Sequence, residues 1–144
     1  MLAIKNLVAR VSGLVYEKTQ RGPAGLELTL KAISHLQGGG ALDFGGSEYR
    51  PADCHPLSVE KGPEDKYGWW HLSRGLYRMD FNEALDLADG ESAMLTPHPR
   101  LLEAGANHNT LIFGPGEPLF VVLQVFEGGL SLKENCRTSR LNLL

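Results

Sequence analysis

A chain of 144 residues is one domain's worth, 1–144, and is long enough to bury a core. Its 42% hydrophobic and 22% charged residues fit an ordinary globular protein, and a net charge of −3 argues against a nucleic-acid polymer as ligand, which would need a basic face. Two cysteines, Cys54 and Cys136, are too few for a disulfide framework or a zinc site and read as buried free thiols.

Leu2, Ile4, Leu7, Val8, Val11, Leu14 and Val15 recur at spacings of three and four, predicting a short amino-terminal helix that Ser12-Gly13 ends or divides. Lys5 and Arg10 interrupt this segment, so it is no signal peptide, and no apolar window is long enough to span a bilayer. A cytoplasmic protein without membrane contact is expected. Arg21 to Gly25 reads as a turn, and Leu26 to Leu30 alternates like a half-buried strand.

Gly38-Gly39-Gly40 and Gly45-Gly46 flank Ala41 to Phe44, which is expected to be a short strand between turns. Neither the P-loop pattern nor the dinucleotide fingerprint is present there. Pro51 to Lys66 is polar and proline-rich, the composition of a long surface connection. Trp69 to Leu72 and Leu76 to Phe81 are strands around a turn at Ser73-Arg74-Gly75. Adjacent strand residues face opposite ways, so one of Trp69 and Trp70 belongs in the core and the other outside. Ala84 to Leu87 and Ser92 to Leu95 are short strands joined by a turn. Phe120 to Phe126 is the most apolar strand, and Gly128-Gly129 turns it into Leu130 to Leu132. Many short strands with one helix describe a closed or folded-over all-β domain.

The central block reads Pro97-His98-Pro99-Arg100-Leu101-Leu102-Glu103-Ala104-Gly105, then Asn109-Thr110-Leu111-Ile112-Phe113-Gly114-Pro115-Gly116, then Leu119 to Val125. It resembles the core of the dUTPase and dCTP deaminase superfamily, particularly archaeal-type members. In that family a Pro-Arg-Ser-Ser-Leu stretch binds phosphate and a hairpin with Asp-Pro-Gly-Tyr holds base and sugar. Gly25 to Leu30 is similar to the family's first motif, Gly-x-Asp-Leu. Gly75 to Glu83 resembles the strand ending in Asn-Glu, and Gly129 to Leu141 the late Gly-x-Arg-Ile-Ala-Gln-Leu motif. Five pieces in the right order cover nearly the whole chain.

The resemblance implies a distorted jelly-roll or β-barrel with a short amino-terminal helix, assembled as a homotrimer with sites between subunits. It also shows where chemistry is missing. The family's Arg-Ser-Ser falls on His98-Pro99-Arg100, and its later basic residue becomes Glu103. The water-activating Asp corresponds to Gly114, the aromatic under the sugar to Glu117, and the deaminase Glu to Gln124. An amide keeps the hydrogen bonds of a carboxylate but takes no proton at neutral pH. The resemblance therefore implies a catalytically degenerate scaffold or small-ligand binder, with Gly114, Gln124 and Glu117 as vestigial positions. His98, Arg100, Gly105, Asn109, Thr110, Gly116 and Gln124 are its candidate ligand contacts.

No metal site is expected, because His98 and His108 lack a carboxylate partner at suitable spacing. The alternative is a hydrolase or deaminase acting on dUTP or dCTP with repurposed residues, Mg²⁺ entering only in that case. A protein-interaction module is the third possibility.

Overall fold

The structure is a computed structural model and describes residues 3–144. Its elements in chain order are α1 (Ile4–Val8), β1 (Val11–Ser12), α2 (Glu17–Gln20), β2 (Arg21–Gly22) and β3 (Gly25–Gly38). Then come β4 (Asp53–Pro56), β5 (Trp69–Leu72), β6 (Gly75–Phe81), β7 (Ala84–Leu85) and β8 (Ala93–Pro97). The last third holds α3 (Pro99–Ala104), β9 (Ala106–Asn107), β10 (Leu111–Phe113), β11 (Phe120–Val125), β12 (Leu130–Lys133) and β13 (Arg137–Leu143).

The main sheet runs β10-β8-β13-β3-β6-β11-β9, with β2 and β4 also pairing with β3. All of its pairs are antiparallel. β5 and β12 form a separate ribbon, and β1 pairs with β7. The core gathers the inward residues of these strands, among them Leu26, Leu28, Leu30, Ile33, Met79, Leu95, Val121, Leu123 and Leu141. Their 2-residue alternation holds on β6, β11 and β12, where each outward neighbour is exposed or half-buried. Among the described residues, no helix is long and apolar enough to cross a membrane.

The all-β expectation holds, and Trp70 is buried while Trp69 is 42% exposed, as their adjacency requires. Several details differ. The amino-terminal helix stops at Val8 because Val11 and Ser12 leave it to pair with β7, so Leu14 and Val15 lie beyond it. Leu2, part of that expected helix, lies outside the described residues. Among the described residues there are two further helices, of which α3 carries the proline-at-start and glycine-at-end signature in Pro99 and Gly105.

The strand at Leu26 to Leu30 is buried on both faces rather than one, because Glu27 and Thr29 are covered by polar partners. Ala41 to Phe44 is no strand: Ala41 makes one bridge to Arg50, and Leu42 and Phe44 stand out into solvent. The connection after Pro51 includes β4, which lengthens β3's pairing from Ser34 to Gly38. Both cysteines are free, but Cys54 is exposed and Cys136 half-buried. Burial lifts the Cys136 thiol to about 11, which leaves it protonated and unreactive.

Candidate functional site

Glu27 sits near the start of β3, only 3% exposed. Its Oε1 accepts a hydrogen bond from Arg137 Nη1 at 2.7 Å. Its Oε2 lies 3.3 Å from His98 Nε2 and 3.9 Å from Arg140 Nε. The β2–β3 turn closes over this carboxylate so tightly that a Cβ on Gly22 would collide with it. His98 precedes α3 and caps it, its Nδ1 accepting from the Arg100 N–H at 3.1 Å. With Nδ1 an acceptor, the neutral ring carries its proton on Nε2, facing Glu27. Burial pulls the His98 pKa below its usual value against the opposing pull of Glu27, and Arg140 and Arg137 lower it further.

A second buried carboxylate lies beside the first. Glu83 accepts from the Thr29 N–H, the Thr29 hydroxyl and Gln20 Nε2 at 2.8, 2.6 and 2.8 Å. Its neighbour Asn82 donates to Thr29 Oγ1 and to Asn135 Oδ1, which holds Asn135 in a left-handed turn at φ 65°. The polar frame therefore reaches from the first motif to the β12–β13 turn. Its buried groups are satisfied with one exception among the described residues, the Arg140 Nε–H.

Above this frame opens a cleft of about 330 Å³ between α3 and the β12–β13 segment. His98, Arg100, Trp69, Lys133, Asn135 and Arg137 line it, over an apolar floor that includes Leu101 and Leu132. Three permanent cations meet there, and no carboxylate is among the lining residues. Arg137 is partly neutralised by Glu27, while Arg100 makes no ion pair among the described residues. In an acidic chain this is a local positive hollow, suited to an anion.

The hairpin is built differently. Gly114 N–H donates to Glu117 Oε1 at 2.7 Å, so the one carboxylate near the turn is tied back onto it. Gly116 takes φ 78°, which the turn needs and glycine supplies. Asn109, Leu111, Phe113, Glu117, Phe120 and Val122 line a mainly apolar hollow of about 370 Å³ beside it. Gln124 is on the exposed face of β11, opposite Asn107 and Leu76. Thr110 is exposed, and Gly105 ends α3 at φ 107°.

The seven candidate contacts are thus not one cluster. His98 and Arg100 meet at the cleft, Asn109 lies at the hairpin hollow, and Gln124 lines neither. Gly105 and Gly116 serve backbone turns. Sequence reasoning missed Lys133 and Asn135. They reach the cleft because β12 folds back onto β5, a long-range event with no local signature. Arg140 was also missed, although the late motif marked its position.

The residues present do not suit a protein-held Mg²⁺. Glu27 and Glu83 are buried and already paired, and the cleft offers no free carboxylate. His108 is buried between Ser139 Oγ and the Asn109 carbonyl, both at 2.8 Å, and burial lowers its pKa. Among the described residues, no three His, Cys, Asp or Glu side chains gather as a metal site.

No protein-family model matches the chain. The chain is 36% identical over 129 residues to a probable deoxyuridine 5'-triphosphate nucleotidohydrolase of Methanosarcina mazei, covering 86% of itself and 71% of that relative. The corresponding protein of Methanococcoides burtonii is 30% identical over 136 residues, with 91% and 76% covered. Among solved structures, the 2'-deoxycytidine 5'-triphosphate deaminase of Agrobacterium tumefaciens superposes with a TM-score of 0.67 at 17% identity. That match takes in 97% of this chain and 44% of the deaminase, a likeness of fold.

Proposed function

The chain belongs to the deoxyuridine triphosphate nucleotidohydrolase family, in the dUTPase and dCTP deaminase superfamily, and we propose that it is a phosphate-binding member that has lost the superfamily's catalytic base. The observation that carries this is the cleft, where Arg100, Lys133 and Arg137 converge without a competing carboxylate. Pro99-Arg100 also repeats the Pro-Arg of the family's phosphate stretch in a second register. The hydroxyl positions then fall on Leu101, which is buried, and Leu102. In either register the serines are absent and an arginine remains.

The ligand class is a pyrimidine nucleotide or another small phosphorylated molecule. Charge-assisted hydrogen bonds from arginine would hold its phosphates. Chemistry is a different matter. Gly114 has no side chain, Gln124 takes no proton, and Glu117 is bound to its own turn. Loss of a positioned general base costs ~10²–10⁴-fold in rate. Any Mg²⁺ would arrive on the phosphates. The assembly is proposed to be a homotrimer, and the cytoplasm its site of action.

The names of the relatives favour a second reading, retained hydrolysis of dUTP or deamination of dCTP. A thermal-shift screen against dUTP, dCTP, dUMP and dTTP, with and without Mg²⁺, separates binding from none. Product analysis on the same mixtures then separates binder from enzyme. A melting shift without product is expected. Product formed at ordinary enzymatic rates would overturn the loss of the base, and no shift at millimolar ligand would overturn the phosphate site.

A further inference from the structure

We propose that His35 and His55 together hold a divalent transition-metal ion of the zinc, nickel or copper class on the β3–β4 pair. The two histidines are direct cross-strand partners, just before the register shifts between Leu36 and Gly38. Residues opposed in an antiparallel pair share a face, with Cβ atoms ~4.5–5.5 Å apart. Two imidazole nitrogens bound tetrahedrally to zinc at ~2.0–2.1 Å stand ~3.3 Å from each other, a gap that side chains rooted at that spacing can close. Both histidines are exposed. The other three are already engaged: His71 bonds to Ser131 Oγ and faces Glu60, and His98 and His108 are buried in the contacts described above. Among the described residues, neither His35 nor His55 makes a side-chain hydrogen bond or ion pair. The His35 ring meets the Tyr77 ring edge-on, centroids 5.7 Å apart, which steadies one of the two ligands.

The donor set selects the ion. Two neutral imidazoles suit Cu²⁺, Ni²⁺ and Zn²⁺, whereas Mg²⁺ prefers oxygen ligands. The site is therefore separate from any Mg²⁺ carried on a phosphate and stands or falls independently of the cleft. Among the described residues no third His, Cys, Asp or Glu joins the pair, so water fills the remaining positions. Cys54 precedes His55, and strand alternation turns its thiol to the opposite face of β4. The fold gives such an ion something to hold. Among the described residues β4 pairs with β3 alone, so a shared ion staples the two strands and fixes both ends of the loop 39–52. Leu42, Tyr49 and Arg50 of that loop line a groove together with Phe120 and Val122 of β11.

Calorimetric titration of the chain, free of any affinity tag, with Zn²⁺ and separately with Mg²⁺ tests the site. One Zn²⁺ per chain is expected, and no Mg²⁺. His35→Ala and His55→Ala should each weaken Zn²⁺ about tenfold or more, while His71→Ala and Cys54→Ser should change it less than about twofold. With Cu²⁺ as the probe, electron paramagnetic resonance should count two nitrogen donors in the parent and one in each of the two alanine variants. Zn²⁺ should raise the melting temperature of the parent and leave His35→Ala and His55→Ala where they were. If His35→Ala melts lower without metal, through its lost contact with Tyr77, the His55→Ala titration decides. Absence of Zn²⁺ binding would overturn the site. So would binding that survives His55→Ala, binding that vanishes with His71→Ala or Cys54→Ser, or Mg²⁺ bound as tightly as Zn²⁺.

Discussion

The frame around Glu27 and the hairpin at Gly114 both lie in segments that resemble family motifs, yet one is dense and the other is bare. In the frame, two buried carboxylates receive hydrogen bonds or ion pairs from Arg137, His98, Thr29 and Gln20. In the hairpin, the carboxylate near the turn is bonded to the turn itself, and the position matched by resemblance to the family's water-activating Asp is a glycine. The contrast separates what the fold requires from what a reaction requires. A buried charge must keep its partners or the sheet pays for its desolvation, whereas an exposed catalytic group can be lost without disturbing its neighbours.

Removing Glu27 tests that contrast most severely. Glu27→Ala leaves His98, Arg137 and Arg140 without their shared counter-charge and opens a gap in β3. A loss of about 3 kcal/mol is expected by urea denaturation, the lower end of the usual range because Arg137 is 34% exposed. A loss below about 1 kcal/mol would show the frame to be no more structural than the hairpin. Next in size is Arg100→Ala, which should weaken pyrophosphate binding about tenfold by calorimetry. Arg100 is exposed, so unfolding free energy should stay within about 0.5 kcal/mol of the parent. A variant that lost stability instead would make Arg100 part of the frame.

Much of the fold was legible because alternation survives wherever one face is buried. Leu76 to Phe81, Phe120 to Val125 and the Trp69/Trp70 pair all obey it. The frame was harder to read. Glu27 and Thr29 look like the outward residues of a half-buried strand, and only distant partners at positions 83, 98 and 137 make them inward ones. The α3 helix was written in Pro99 and Gly105, but Pro97 to Gly105 was read only as a motif and given no helix. At the site, His98 and Arg100 were found by motif. Lys133 and Asn135 were not, since a strand that folds back across the molecule gives no local pattern.

Acid titration sharpens the same comparison with a smaller effect. His98 and His108 are buried and held below their ordinary pKa, so the folded chain keeps them neutral. The unfolded chain binds their protons near pH 6.5, and the folded chain only lower. Stability is therefore complete above about pH 6.5 and falls as the pH drops below it. His108 faces Ser139 and the Asn109 carbonyl, and His98 faces Glu27, Arg137 and Arg140. A melting temperature that declines from pH 7.5 to 5.5 is expected. His108→Gln should flatten that decline, because glutamine carries no proton to bind. An unchanged slope would leave His98 as the titrating group.

The smallest effects belong to the hairpin, and their smallness is the test. Glu117→Ala removes one hydrogen bond at an exposed turn and should cost at most about 0.5 kcal/mol. Gly114→Asp places its Cβ 3.1 Å from Glu117 Oε1, so the new carboxylate would be pressed against an existing one. Two like charges crowded into one turn repel, which disfavours the ionised form that a base needs. Gly114→Asp with Gln124→Glu should therefore yield no dUTP hydrolysis. Adding Glu117→Tyr removes the repulsion and restores the aromatic that the family places there. If the triple variant turns over dUTP while binding pyrophosphate as the parent does, the hairpin lost its chemistry at these few positions and the frame kept the site ready. If it binds and stays inactive, the missing serines at Leu101 and Leu102 carry the deficit, and restoring the base alone is not enough.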